Sequence, residues 1–296
     1  MNSRCSNKGE SAAVAVHDIA VFDEARKREI PLRLTFPEGV ERFPLIIWSP
    51  GYGFNETHYG GLMSYWACHG YGCMTVDHED IRSSKDLPTE VNRKTRLGDL
   101  LWIIDSIQKI IGRVGGLSDR ADVSSVGIGG HSLGAHTIQL IGGATMFDEV
   151  SGARLSCSRS EPRAFFMLAP QGTGLYFDED SWKDFHRPAM VCAGTQDVWR
   201  NGSRDYTWRT EPFYRMPVGD KYLVIIKDAF HGYGGISGVA RWRAGGPINE
   251  RHQSIVRSVS LLFWDAYLKG DHTAMESLIS ANLADDCQGE VEIVGK

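Results

Sequence analysis

Between Val126 and His136 the chain leaves an apolar run and enters a helix-like one through a cluster of glycines around a single serine: Val126-Gly127-Ile128-Gly129-Gly130-His131-Ser132-Leu133-Gly134-Ala135-His136. A strand that must turn at once into a helix has few backbone solutions. Gly130 and Gly134 flank Ser132 in a G-x-S-x-G pattern, and a Cβ at either position would crowd the neighbouring strand and helix. The serine is then expected at a strained strand-to-helix turn, with the free N–H groups and positive dipole end of the helix directly behind it. The spacing alone is a weak signal, because small residues cluster by chance. Its context strengthens it: β-branched residues precede the pattern, and Ala135-His136-Thr137-Ile138-Gln139-Leu140-Ile141 follows.

A unit of this kind belongs in an alternating chain, and the rest of the sequence alternates. Residues 14–22 and 30–36 read as a hairpin around the charged turn at 23–28, and 44–49 as a short continuous apolar strand. A helix at 58–69 and a strand at 72–77 follow. Residues 96–111 have helical periodicity, with Leu97, Leu100, Leu101, Ile104 and Ile107 on one face. Strands at 164–169, 189–194 and 222–226 come next, and an amphipathic helix at 255–268 closes the chain before Gly270. The pattern predicts an α/β fold: one domain over residues 12–296, a mostly parallel doubly wound sheet with an N-terminal antiparallel hairpin and flanking helices. Residues 1–11 are polar and read as a disordered tail. Long connections at 198–220 and 232–249 leave the expected C-terminal edge of the sheet. They carry Trp199, Tyr206, Trp208, Phe213, Tyr214, Tyr233 and Trp242, enough aromatic surface to form the rim of a pocket.

Composition excludes several classes. The net charge of −5 gives no basic surface for nucleic acid, and no apolar run approaches the roughly 18 residues of a membrane span. Met1-Asn2-Ser3-Arg4-Cys5-Ser6 has no apolar leader core, so a cytoplasmic protein is expected, with secretion or a periplasmic location open if a leader has been removed. The six cysteines form no C-x-x-C pair, which predicts neither a zinc nor a redox site. Cys192 reads as a buried thiol. Cys68 and Cys73 flank a turn, where they either bridge in an oxidising compartment or remain two reduced thiols. The oligomeric state is not readable.

A serine hydroxyl needs a base within hydrogen-bond reach, and the base needs a carboxylate to orient it. His231, just past the strand at 222–226, lies at the correct sheet end. His186 precedes a strand and is its main rival, and His252, at a helix start, is a weaker one; His131 and His136 are expected to point elsewhere. Asp197 ends the turn after the strand at 189–194 and is the preferred acid over Asp178, Asp180, Asp77 and Asp228. Developing negative charge requires two N–H donors aimed at one point. The amide of Leu133 is one, and that of Tyr52, in the Pro50-Gly51-Tyr52-Gly53 loop, is the best second. Gly53, His131, Gln171 and Trp199 lie beside these loops and are candidate pocket residues.

Over nearly its whole length the chain resembles the α/β-hydrolase superfamily, in particular its dienelactone-hydrolase-like, platelet-activating-factor-acetylhydrolase-like and cutinase-like polyesterase branch. The resemblance rests on Ser49-Pro50-Gly51-Tyr52, Gly130-His131-Ser132-Leu133-Gly134, Gly194-Thr195-Gln196-Asp197, Phe230-His231-Gly232 and Phe263-Trp264-Asp265-Ala266-Tyr267-Leu268-Lys269-Gly270. It implies a Ser-His-Asp esterase that works through an acyl-enzyme on small ester substrates, of short to medium acyl length, with no metal or organic cofactor. A non-catalytic binding relative and an acyltransferase are the alternatives. The chain departs from the pattern twice. Dienelactone hydrolases proper carry a cysteine where Ser132 stands. Cutinase-type polyester hydrolases carry a tryptophan after the Ala-Pro of their sixth strand, where this chain has Ala169-Pro170-Gln171, which leaves Trp182, Trp199 or Trp208 as substitutes.

Overall fold

The structure is a computed structural model that describes residues 13–78, 89–147, 152–199, 202–238, 245–280 and 289–296. Among these, nine strands form one sheet in the order β1-β2-β4-β3-β5-β8-β9-β10-β11. They are β1 (Val14–Asp23), β2 (Arg28–Pro37), β3 (Phe43–Ser49), β4 (Gly72–Val76), β5 (Ala121–His131), β8 (Pro162–Leu168), β9 (Ala189–Gly194), β10 (Lys221–Ile226) and β11 (Val291–Gly295); β6 (Thr145–Phe147) and β7 (Arg154–Ser156) make a separate pair. From β4 through β10 every neighbouring pair is parallel. The hairpin β1–β2, its junction with β4, and β10–β11 are antiparallel.

The strand period of two sorts side chains into two cores. Along β3, Leu45 and Ile47 enter one core while Ile46 and Trp48 enter the other, and along β8 Phe165 and Met167 alternate with Phe166 and Leu168. Helices α2 (Thr89–Ile111), α3 (Leu133–Gly142) and α4 (Thr207–Arg215) cover the first face. Helices α1 (Gly60–Cys68), α5 (Glu250–Trp264) and α6 (His272–Ser280) cover the second. Strands buried on both faces are continuous apolar runs, which is why β3, β8 and β9 are conspicuous in the sequence.

The differences from the sequence reading have local causes. Helix α2 begins earlier, at Thr89, because its first turns bury polar Asn92, Arg93 and Arg96 and so break the apolar period. The closing helix is α5 followed by one π turn, Asp265–Lys269, ended by Gly270 at φ 69°. The connection at 198–220 contains α4, and α6, β11 and the β6–β7 pair are additional. Cys73 is a free buried thiol while Cys68 is disulfide-bonded, so neither a Cys68–Cys73 bridge nor a pair of reduced thiols forms. Cys192 is a free buried thiol, as expected. The expected tail at 1–11 lies outside the described residues. No helix among the described residues is long and apolar enough to cross a membrane.

One buried ionic cluster pins the hairpin to the sheet. Asp99 of α2 has a fully buried side chain. Its Oδ1 accepts from Arg26 Nη1 (2.9 Å) and Arg28 Nε (2.7 Å), and its Oδ2 from Arg28 Nη2 (3.0 Å). His78 Nδ1 lies 3.0 Å from Oδ2, and its Nε2 lies 3.0 Å from Ser49 Oγ at the end of β3. Burial works to raise the Asp99 carboxyl, but the hydrogen bonds and charges of His78 and Arg28 prevail and hold it down to about 2. A carboxyl depressed in the folded state stabilises the fold above its unfolded value, and that stabilisation is lost as pH falls through the folded one. Asp99 should therefore contribute on the order of 2 kcal/mol near neutral pH, lost between about pH 4 and pH 2. In urea unfolding, Asp99→Asn should lose about 2–4 kcal/mol near neutral pH and show a shallower decline in acid than the wild type. Parallel acid declines would contradict this account.

Candidate active site

The turn at the end of β5 carries Ser132 at φ 55°, ψ −114°, a backbone region that non-glycine residues rarely occupy. Two hydrogen bonds and two close glycine approaches fix it. The Ser132 amide donates to the Leu168 carbonyl (2.9 Å), and the Ser132 carbonyl accepts from the His136 amide (2.9 Å) as α3 begins. A Cβ on Gly130 would meet Gly134 at 2.6 Å, and one on Gly134 would collide with the backbone of Ser49 and Pro50. Both glycines are thus required by close backbone approach, and the strand end of β3 is pressed against the first turn of α3.

Ser132, His231 and Asp197 meet at the C-terminal ends of β5, β10 and β9. Ser132 Oγ lies 3.0 Å from His231 Nε2, and His231 Nδ1 lies 2.7 Å from Asp197 Oδ2. Burial rises along the chain of bonds: Ser132 is half-buried, His231 is 6% exposed and Asp197 1%. Only the hydroxyl end is open to a substrate. Gly194 permits the assembly, because a Cβ there would strike Ala229 in the turn that leads to His231. A hydroxyl bonded to an imidazole that a carboxylate orients can lose its proton as it attacks an electrophilic carbon.

Asp197 has a second partner. Arg209 of α4 places Nε 3.1 Å from Oδ2 and Nη2 3.4 Å from Oδ1. Burial works to raise the Asp197 carboxyl, but the charges and hydrogen bonds of His231 and Arg209 outweigh it and leave the group well below the usual carboxylate range.

The amides of Leu133 and Tyr52 have no hydrogen-bond partner among the described residues. Leu133 is the first residue of α3, where an amide has no helical acceptor. Arg96, fully buried, donates through Nη1 to the Pro50 carbonyl (2.7 Å) and through Nη2 to the Gly51 carbonyl (3.1 Å). Every peptide bond described is trans, so fixing the Gly51 carbonyl toward Arg96 turns the Tyr52 N–H to the opposite side.

The remaining candidates divide sharply. His131 is fully buried, so it is a linker rather than a wall of an open pocket. Tyr59 accepts from the Gly51 amide (3.3 Å) and donates to His131 Nδ1 (2.7 Å), while His131 Nε2 donates to the His231 carbonyl (2.9 Å). Burial, aided by the neighbouring His231, pushes His131 well below its ordinary range and keeps the ring neutral. Gln171 is also buried, with its carbonyl bonded to Gln139 Nε2 (3.3 Å). Gly53 sits in open space at φ 80°, beside the 52% exposed Tyr52. Trp199 is half-buried and stacks on Trp208, with ring centroids 5.4 Å apart.

The rivals lie elsewhere. His186 is exposed, with its amide donating to the Asp184 carbonyl and its carbonyl accepting from Lys221. His252 packs at the start of α5 beside Asn249. His136 is sealed against Tyr176 and Phe177. Asp178 pairs with Arg154, exposed Asp180 donates its amide to the Asp178 carboxylate, Asp77 is buried at the end of β4, and Asp228 forms the turn before His231. The aromatic rim is smaller than its sequence suggests. Trp208, Phe213 and Tyr233 are buried and pin their segments to the core, Tyr214 is exposed, and Trp242 lies outside the described residues. Trp182 is sealed, with its Nε1 donating to Gln139 Oε1 (2.6 Å), which removes it as a clamp.

Arg209, Arg96 and Tyr59 are not singled out by any motif. The best available signal was the placement of Trp199 and Trp208 beside an arginine in the 198–220 connection. A second Ser–His–Asp alignment, Ser49–His78–Asp99, is equally invisible in sequence, but its three side chains are fully buried and no substrate reaches them.

No family model matches the sequence, and no curated protein does. Among solved structures 770 chains match, so the architecture is widespread and does not by itself select an activity. One is a ferulic acid esterase from Streptomyces cinnamoneus, 13% identical, with a TM-score of 0.63 over 90% of this chain and 93% of that one. At that identity the likeness concerns the fold: a mostly parallel sheet flanked by helices, with an N-terminal antiparallel hairpin, in the α/β-hydrolase arrangement.

Proposed function

We propose that the protein is a serine hydrolase of carboxylic esters. The observation that carries this reading is the bonded series Asp197–His231–Ser132 with only its hydroxyl end open. In this mechanism Ser132 Oγ attacks the ester carbonyl as His231 Nε2 takes its proton. The negative charge that develops on the carbonyl oxygen is held by the free amides of Tyr52 and Leu133. The tetrahedral intermediate collapses, His231 returns the proton to the leaving alcohol, and the acyl group remains on Ser132. Water, deprotonated by His231, then releases the acid. No metal or organic cofactor enters these steps. The esterase activity named for the structural neighbour supports the same chemistry.

Ser132→Ala should lower ester turnover by roughly four orders of magnitude or more, with an unchanged urea midpoint. Wild-type turnover in that folded variant would remove Ser132 as the nucleophile, and absence of turnover in the wild type itself would leave a binding protein. Activity should rise from acid toward neutral pH, because only a neutral imidazole accepts the serine proton. His231→Ala should abolish that rise, and His186→Ala should leave it. Formation of a new ester on adding an alcohol acceptor would point to acyl transfer instead.

The acyl side is inferred to be short to medium. Half-buried Trp199, beside the Arg209 that holds Asp197, and half-buried Tyr206 remain as candidate walls once the core-packed aromatics are set aside. The kcat/KM for p-nitrophenyl acetate or butyrate should exceed that for the palmitate at matched soluble concentrations. The reverse order would identify a lipase.

The disulfide-bonded Cys68 supports a secreted or periplasmic protein over a cytoplasmic one. Thiol counting in denaturant without reductant should find fewer free thiols than the six cysteines of the sequence. A full count of six would remove this support.

A further inference from the structure

Most surface arginines that meet a carboxylate do so in water, where the pair contributes little. Arg209 is different. The residue is 1% exposed, and its guanidinium lies 5.3 Å from the centre of the Trp199 ring and 4.8 Å from that of Trp208. Its Nη1 donates to the carbonyls of Ala169 (3.3 Å) and Pro170 (3.2 Å), just past β8, while Nε and Nη2 engage both oxygens of Asp197, just past β9. Oδ2 is therefore shared between His231 Nδ1 and Arg209 Nε. Arg209 Nη2 stands 3.5 Å from His231 Nδ1, and since Nδ1 donates to Asp197, two N–H groups lie side by side on one carboxylate.

We propose that Arg209 is a positioning residue of the triad: a permanent counter-charge on Asp197 that sets its orientation and keeps His231 a usable base at more acidic pH. The inference rests on the serine-hydrolase reading above. A lone carboxylate beside an imidazole favours the protonated ring. A guanidinium sharing that carboxylate opposes a second positive charge close by. Titratable and charged groups surround His231. Asp197 approaches from the end of β9 and Arg209 from α4. His131, at the end of β5, has its ring 4.8 Å away and is held neutral by burial. Tyr233, in the loop that carries His231, has its hydroxyl bonded to the Cys192 carbonyl (3.0 Å), and burial keeps it protonated. Removing the guanidinium takes away the positive charge that shares the Asp197 carboxylate with the ring.

The test is a pH profile of kcat/KM on p-nitrophenyl acetate for wild type, Arg209→Met and Arg209→Lys. In Arg209→Met the acid limb should move to higher pH by about one unit, a roughly tenfold loss of activity at the acid end relative to the plateau. Arg209→Lys keeps the charge but not the two-pronged contact. It should hold the limb near its wild-type position while lowering kcat. An unmoved limb in folded Arg209→Met would reduce Arg209 to a packing role and overturn the proposal. If Arg209→Met does not fold, Arg209→Gln is a second neutral variant with the same expectation, and its side-chain amide can still bond Asp197. The limb can also be read without turnover. Nitrogen NMR titration of the His231 ring in Ser132→Ala, with and without Arg209→Met, should show the same displacement. Failure of the esterase reading would show instead as full turnover by Ser132→Ala, a separate result from an unmoved His231 titration.

Discussion

The structure depends on one place where two backbones touch. Gly134, in the first turn of α3, lies against the carbonyls at the end of β3 with no room for a side-chain atom. That contact brings the loop after β3 beside the amide of Leu133, and it holds the helix start that makes the unusual backbone of Ser132 tolerable. An alanine at Gly134 would have to displace either the helix or the strand end, so the geometry of Ser132 and of both free N–H groups follows from a single missing Cβ. Strain at Ser132 is sustained because its surroundings over-determine it.

Around this contact the protein places two buried carboxylates, each clasped by arginine. Asp99 anchors the hairpin and, through His78, touches Ser49 at the foot of the loop that carries Tyr52. Asp197, just past the end of β9, orients His231. Both keep their charge despite burial because hydrogen bonds and opposite charges outweigh desolvation. The two sites have similar Ser–His–Asp connectivity, and access separates them. One ends at a sealed serine, the other at a half-buried one.

The elements that were legible in the sequence are those that obey a simple period. Strand β9 matches its reading residue for residue, and β3, β8 and β10 match within two residues, because strands buried on both faces must be apolar throughout. The turn at Ser132 and the positions of Asp197 and His231 after their strands were legible because local backbone chemistry dictates them. Helix α4 was not, since Thr207-Trp208-Arg209-Thr210-Glu211-Pro212 shows no apolar stripe; it serves partly to deliver a charge to Asp197. The start of α2 was hidden for the same reason, with buried Arg96 placed to hold carbonyls. Edge strand β11 is short and only partly buried, so it leaves little pattern. Interactions that a charge or ring makes across long sequence distances, such as Tyr59 with His131, have no period to detect.

The ring of His131 ties together segments that are far apart in sequence. One nitrogen reaches, through Tyr59, the amide of Gly51; the other holds the carbonyl of His231. The loop that bears a candidate oxyanion donor and the loop that bears the imidazole are therefore cross-braced through the residue beside Ser132. Neither can swing without breaking a buried hydrogen bond, so on the proposed esterase reading a substrate would find its polar partners already in place and need not organise them. On that reading, adaptation to differently shaped substrates would fall to the segment around half-buried Trp199 and Tyr206, outside the braced unit, where a side chain can change without breaking these bonds.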